Sequence, residues 1–234
     1  MTAGDLTSRS PRQANSRSLW NERVVLGLLM AAIFPLAFFG SAKVALGRLT
    51  PPPPWFVTPL DEFRPVAPCS VWFYLSWYLL PTLVFTDNRQ KLRVGVLAMF
   101  LSLAACVVGF LSMPITIVRP VIASENHQLA LRTLRALYQL DPPMNLFPSL
   151  HAAVAVVIGR VVISRRAWMT LALRAWCGAI CCSCVLTGQH YVLDVVTGCI
   201  VGFAAVQVAR VLVMSDARAV VARIVPQAPA EKEA

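Results

Sequence analysis

The sequence predicts an all-α protein, a polytopic membrane bundle of about six transmembrane helices. Three observations support this fold class: an apolar composition, a series of apolar runs of membrane-spanning length, and an uneven distribution of positive charge. Of the 234 residues, 57% are hydrophobic, and the mean hydropathy is +0.65. The chain is too apolar for a soluble domain, and its apolar residues are too evenly spread for a single anchor attached to a soluble domain.

The two ends of the chain are polar and enclose one membrane domain. Residues 1–23 contain several arginines, and we expect a cytoplasmic polar tail that is disordered or lies on the membrane surface. The membrane domain covers residues 24–214, and residues 215–234 form a second cytoplasmic polar tail. The first apolar run, 24–46, is too long for the core of a signal peptide, which predicts a retained helix.

Five further apolar runs follow the first one. A membrane crossing takes about 20 residues in an α-helix, and each of these runs approaches that length. They cover residues 68–86, 94–114, 149–164, 168–188 and 191–213. Between the third and fourth of the six runs lies a loop, 115–147, and a long loop on a compact domain is more often functional or disordered than idle.

The lysines and arginines are divided unequally between the two sides of this topology. Fifteen of the 21 fall on the side of the two termini, which predicts that this side is cytoplasmic. These fifteen are Arg9, Arg12, Arg17, Arg23, Arg89, Lys91, Arg93, Arg160, Arg165, Arg166, Arg174, Arg210, Arg218, Arg223 and Lys232. The net charge of +10 therefore records orientation rather than nucleic-acid binding, and no basic stretch is interleaved with aromatic residues.

Chemically capable residues gather on the opposite, non-cytoplasmic side. His190 follows His151 by 39 residues, one crossing out and one back, so the two histidines share a face of the membrane. His190 and Asp194 are spaced i and i+4, on one face of a helix. Arg119, the hydroxyl of Ser149 and the start of the fourth helix could hold a phosphate. The carboxylate-paired His190 is a candidate nucleophile and His151 a candidate general acid.

Each residue taken alone has a simpler explanation. His151 could be an interfacial cap, the His190–Asp194 pair could be structural, and Arg119 could be a surface charge. Their convergence on one face favours the functional interpretation. Four cysteines between residues 177 and 184 resemble a metal site in spacing, but they lie inside an apolar run and fit close helix packing better.

Two stretches resemble motifs of a known family. Residues 147–151, Phe-Pro-Ser-Leu-His, and residues 187–194, Thr-Gly-Gln-His-Tyr-Val-Leu-Asp, look like the second and third motifs of the type 2 phosphatidic acid phosphatase (PAP2) superfamily. Arg119-Pro120 looks like the end of its first motif. The resemblance covers roughly residues 60–210, so the central membrane domain is expected to be the catalytic domain.

The resemblance implies a role for each matching residue. His190 would attack phosphorus and form a phosphohistidine, and Asp194 would orient and charge-stabilise it. His151 would protonate the leaving alcohol and then activate the acceptor. Arg119 and Ser149 would bind the phosphoryl oxygens. No metal ligand set is visible, and this mechanism needs no metal or other cofactor.

The sequence departs from the family pattern at three positions. Ser112 and Cys184 stand where the family usually has a lysine and an arginine, and Leu150 replaces a glycine. The motifs look more like the branch containing inositol-phosphorylceramide and sphingomyelin synthases. The resemblance thus implies a lipid phosphatase or a head-group phosphotransferase, with phosphatidate, a polyprenyl phosphate or a similar lipid as substrate and a lipid alcohol as acceptor in the transferase case.

Two other classes of protein remain open at this stage. A transporter would use the His–Asp pair for protons and hold its charges at the membrane midplane. A structural bundle that has lost activity would explain the missing cations. The bilayer and a lipid phosphate are the expected partners, and nucleic acid is not among them.

Overall fold

The computed structural model describes residues 11–63, 66–86, 88–122 and 128–224. Within these ranges every secondary-structure element is a helix, apart from one isolated β-bridge between Thr50 and Ile115, which confirms the predicted all-α class. The α-helices are α1 (Pro11–Ala45), α2 (Pro59–Glu62), α3 (Val71–Ser76), α4 (Arg89–Ser112), α5 (Leu129–Leu140), α6 (Leu150–Val161), α7 (Ala167–Leu186) and α8 (Val192–Ile224).

Four helices in the described part of the chain are long and apolar enough to cross a membrane. They are Ser18–Arg48, Arg89–Ser112, Ala167–Leu186 and Val192–Ser215. These segments correspond to the first, third, fifth and sixth apolar runs of the sequence. The chain is therefore an integral membrane protein by the length and composition of its helices.

The other two apolar runs do not form spanning helices, so the count of six is not confirmed. Residues 68–86 break into a 3₁₀ helix (Pro68–Ser70), α3 and a second 3₁₀ helix (Trp77–Val84) that contains Pro81. Proline supplies no backbone N–H and disfavours the α conformation before it. Helix α6 has 12 residues, about 18 Å, against a hydrocarbon core of about 30 Å. The sequence predicted one spanning helix for each of these two runs, and the structure has shorter helices there.

The polar ends contain more helix than the sequence predicts. Helix α1 starts at Pro11, inside the predicted N-terminal tail, and α8 continues to Ile224, inside the predicted C-terminal tail. An ion pair joins this part of α1 to the start of α4, with Glu22 contacting Arg89 at 2.7 Å and Arg93 at 2.6 Å. Residues 1–10 and 225–234 lie outside the described ranges.

Helix α6 is the centre of the bundle. It contacts α4, α7, α8 and the 3₁₀ helix Trp77–Val84, and nearly all of its side chains are buried. Many of those side chains are alanine or valine, which allow neighbouring helices to approach closely. The first turn of α6, which carries His151, is therefore held from several sides.

Two glycines of α8 bring this helix against the backbone of α6. A Cβ atom at Gly198 would lie 2.3 Å from the carbonyl oxygen of Ser149, and one at Gly202 would lie 2.3 Å from that of Ala153. Both distances are far below van der Waals contact, so no larger residue fits without moving a helix. The Gly198-x-x-x-Gly202 spacing is typical of closely packed membrane helices.

The start of α8 is fixed by hydrogen bonds from two distant segments. The backbone N–H of Val192 donates to Asp61 Oδ1 at 2.9 Å, and Asp61 Oδ2 accepts from the N–H and hydroxyl of Thr58 at 2.8 and 2.7 Å. The N–H of Ser149 donates to the carbonyl oxygen of Asp194 at 3.0 Å. Helix α2 and the start of α6 together therefore set the position of His190 and Asp194.

The glycine contact predicts a site-specific loss of stability. Gly202→Ala places a methyl group against the α6 backbone, and overpacking of this kind typically costs about 1–3 kcal/mol. We expect a lower thermal unfolding midpoint, measured by tryptophan fluorescence in detergent. Gly178→Ala is the matched control because a Cβ at Gly178 meets no atom within 4 Å. Equal midpoints for the two variants would contradict the close α6–α8 contact.

Candidate active site

A tight turn between α7 and α8 presents the nucleophile candidate. Gly188 has φ +68°, a left-handed conformation that favours glycine. The backbone N–H groups of Gln189 and His190 both donate to the carbonyl oxygen of Cys184, at 3.1 and 3.0 Å. With its backbone folded onto the end of α7, the turn directs the side chains of Gln189 and His190 into a pocket.

His190 is paired with a buried carboxylate, as the sequence predicts. Its Nδ1 lies 3.3 Å from Asp194 Oδ2, and the same oxygen accepts the backbone N–H of Tyr191 at 2.9 Å. Asp194 is fully buried and His190 is 4% exposed. A carboxylate that accepts from Nδ1–H leaves the lone pair of Nε2 free, so Nε2 is the atom available to a substrate.

His151 lies against aromatic side chains of the 68–86 segment. Its ring stacks on Tyr74 with 4.5 Å between centroids and tilts against Trp77 at 4.4 Å. The indole N–H of Trp77 donates to the carbonyl oxygen of His151 at 3.1 Å. The two histidine rings are 5.7 Å apart, so one small phosphorus-centred group can lie within reach of both.

Arg119 enters the same pocket from the loop before α5. Its guanidinium donates to the carbonyl oxygens of Tyr138 and Asp141 at 3.1 and 2.5 Å, and its other terminal nitrogen donates to Gln189 Oε1. It also lies over the Tyr138 ring, 5.0 Å from the centroid. Burial lowers the pKa of Arg119, and the nearby Asp141 carboxylate opposes that shift. A guanidinium stays protonated in proteins, so these hydrogen bonds hold a cation at the pocket.

The predicted site residues divide into those that line the pocket and those that support it. Arg119, His151 and His190 line a pocket of about 280 Å³ counted with its open mouth. Asp194 lies behind His190. Ser149 is fully buried and its hydroxyl accepts the N–H of Ala152 at 3.4 Å as the N-cap of α6. Ser149 does not line the pocket, so its phosphate-binding role stays a prediction.

The two positions that lack the family's cations do not line the pocket either. Ser112 is exposed, and its hydroxyl donates to the carbonyl oxygen of Val108 at 2.7 Å. Cys184 is fully buried, and its thiol donates to the backbone carbonyl oxygen of Ile180 at 3.3 Å. Neither side chain replaces a cation at the site.

Three polar residues that the sequence did not single out also line the pocket: Asp141, Asn145 and Gln189. The Tyr74 hydroxyl donates to Asp141 Oδ2 at 3.2 Å, and burial raises the pKa of Asp141. Asn145 has φ +57°, and its amide nitrogen donates to the carbonyl oxygen of Phe38 at 2.7 Å.

The three residues differ in how readily the sequence alone could have identified them as pocket residues. Gln189 could have been noticed because it adjoins His190 inside the motif. Asp141 and Asn145 lie in a loop, and only the tertiary fold brings them to the histidines.

Comparisons with known proteins find a similar solved structure and a matching family model. The crystal structure of Aquifex aeolicus LpxE is similar to this chain with a TM-score of 0.46 and 21% identity, covering 64% of this chain and 90% of that one. No curated protein matches the sequence. The family model of the PAP2 superfamily matches residues 52–208, which is more than half of the chain and includes Arg119, both pocket histidines and Asp194. The chain therefore belongs to the PAP2 superfamily.

Proposed function

We propose that this protein is an integral membrane lipid phosphoesterase that acts through a phosphohistidine at His190. One observation carries the proposal: a buried His190–Asp194 pair opens onto a pocket that also contains Arg119 and His151. A nucleophile, an acid and a cation within one pocket are what displacement at phosphorus requires. The pocket lies at helix ends, which supports an enzyme over a transporter with midplane charges.

In the first step, the Nε2 lone pair of His190 attacks phosphorus while the bond from phosphorus to the lipid oxygen breaks. His151 donates a proton to that oxygen, so the lipid leaves as a neutral alcohol. Asp194 stabilises the positive charge that develops on the His190 ring, as carboxylates do beside catalytic imidazoles. Arg119 stabilises the negative charge on the non-bridging oxygens.

In the second step, water or another alcohol attacks the phosphohistidine. His151, now neutral, accepts the proton of the attacking hydroxyl, and the phosphorus–nitrogen bond breaks to release His190. Water yields free phosphate from a monoester, whereas a lipid alcohol yields a new phosphorylated lipid. The same four side chains serve both outcomes, so the acceptor decides between hydrolysis and transfer.

The membrane setting supports a lipid substrate such as phosphatidate or a polyprenyl phosphate. The pocket is formed where α6 and α8 begin and α7 ends, while Arg93, Arg160 and Arg210 lie toward the opposite helix ends. By the positive-inside rule we place those arginines and both termini in the cytoplasm and the pocket on the non-cytoplasmic face.

Head-group transfer is a second candidate, favoured by two acceptors in the pocket. The Asp141 carboxylate lines it, and the Oδ1 atom of Asn145 is buried there with no hydrogen-bond partner among the described residues. A bare phosphate offers mainly acceptor oxygens and gains little from these groups. A head group with hydroxyl or ammonium donors could use both.

The nucleophile assignment predicts a covalent intermediate. His190→Ala should abolish turnover of phosphatidate, to less than about 10⁻³ of wild type, because no other imidazole in the pocket has a carboxylate on its Nδ1. Wild-type protein quenched during turnover of ³²P-labelled lipid should carry label that is stable in alkali and lost in acid. Turnover by the His190→Ala protein, or label bound to it, would contradict the assignment of His190 as the nucleophile.

The carboxylate has a separate, graded effect. Asp194→Asn keeps an oxygen for the Tyr191 N–H but removes the charge that stabilises the developing imidazolium, so kcat should fall by about 10²-fold or more. KM should change far less because Asp194 does not line the pocket. Pre-steady-state labelling measures the slowed step directly. An unchanged kcat would mean that the pair only holds the helices together.

Hydrolysis and transfer are separated by acceptor dependence. Purified protein in liposomes is given phosphatidate, a polyprenyl phosphate or a phospholipid with a hydroxylated head group, with and without diacylglycerol or ceramide. A phosphatase releases phosphate at a rate independent of acceptor, and a transferase produces new phospholipid only when acceptor is present. The His190→Ala protein serves as the blank for both products.

A further inference from the structure

The carboxamide of Gln189 has a fixed orientation inside the pocket. Its Oε1 accepts a hydrogen bond from Arg119, so the amide nitrogen Nε2 occupies the other side of the group. Gln189 is 2% exposed, and within the described chain Nε2 has no hydrogen-bond partner. The result is a buried N–H donor, adjacent in sequence to His190, whose direction is set by the pocket cation.

A buried donor without a partner is unfavourable because folding has removed its hydrogen bonds to water. The backbone N–H of Gln189 is already bonded to Cys184, so the side chain is not needed to form the turn. The side chain also lines the pocket together with His190 and Arg119. A ligand with acceptor oxygens would remove the cost, and a phosphoryl group has such oxygens.

The pocket is short of donors for the reaction proposed above. Charge in phosphoryl transfer spreads over three non-bridging oxygens. Ser112 and Cys184, at two positions where the family usually has cations, bond to carbonyl oxygens of their own helices instead. Arg119 uses three of its hydrogen bonds on Tyr138, Asp141 and Gln189. Arg119 keeps two further N–H groups, one of them on the buried Nε, which has no partner in the described chain. An oriented donor from another residue would complete a set of three, one for each non-bridging oxygen.

We propose that Gln189 Nε2–H binds a non-bridging phosphoryl oxygen and that Arg119 serves in part by orienting this amide. The inference rests on the proposed phosphoesterase function and gives a neutral donor a role that the family usually gives to a cation. A neutral N–H of fixed direction needs no reorganisation as charge develops, which is how oxyanion-hole donors act. Loss of one such donor elsewhere has lowered kcat by about 10²–10³-fold.

The test compares Gln189→Met and Gln189→Glu with Gln207→Met, an exposed glutamine of α8. Methionine keeps the size of the side chain and removes the donor, so kcat on phosphatidate should fall by about 10²-fold. Glutamate keeps the shape but presents acceptor oxygens and a negative charge, so it should fall further. Gln207→Met should behave as wild type.

Orthovanadate supplies a readout that a merely structural role would not move. As a mimic of the five-coordinate phosphorus, it should inhibit Gln189→Met less strongly than wild type, by a factor close to the loss of kcat. Turnover by Gln189→Met within about threefold of wild type, with unchanged vanadate inhibition, would overturn the proposal. A threefold change in kcat is small compared with the loss of about 10²-fold expected when the donor is removed.

The glutamate variant also keeps the test decisive if the methionine variant is not recovered folded, because it is isosteric with the native side chain. Activity of Gln189→Glu equal to wild type would overturn the proposal. The failure of the underlying function looks different, since wild-type protein would then form no phosphohistidine label at all.

Discussion

The contact between the starts of α6 and α8 is the constraint on which the site depends. The Ser149 N–H bonds to the Asp194 carbonyl oxygen at 3.0 Å, and Gly198 and Gly202 let the two backbones touch just below. In a membrane, helices gain little from the hydrophobic effect between them, so close packing and hydrogen bonds have to fix their spacing. That spacing places His151 and His190 within reach of one phosphorus atom.

Around this contact, each polar group of the pocket is oriented by a second group. Asp194 orients His190, the aromatic pair Tyr74 and Trp77 holds the ring of His151, and Arg119 orients Gln189. Side chains fixed in this way lose little freedom when a substrate binds, and preorganised polar groups stabilise developing charge best. The fold therefore supplies a rigid site although its polar residues come from five separate stretches of chain.

The sequence predicted the parts of this site that are encoded locally. The i and i+4 spacing of His190 and Asp194 places both residues on one helix face. The 39-residue separation of the two histidines predicts that both lie at the same face of the membrane. It could not predict that Asp61, from α2, would bond to Val192, because that contact joins residues 131 apart. It also did not predict that the apolar 68–86 segment is interrupted by proline and packs as short helices against His151, so the count of six spanning helices is not confirmed.

The shortness of α6 limits how far apart its two polar ends can lie across the membrane. His151 and Arg160 are nine residues apart on this helix, about 14 Å along its axis, whereas the hydrocarbon core that the longer helices can span is about 30 Å thick. At least one polar end of α6 must therefore lie below the level of a membrane surface. Because α4, α7 and α8 contact α6, a polar group at that depth is surrounded by protein instead of lipid tails. If the deeper end is the one with His151, a phosphate bound there as proposed leaves most of its water behind, and each hydrogen bond from the protein is stronger than it would be at the interface.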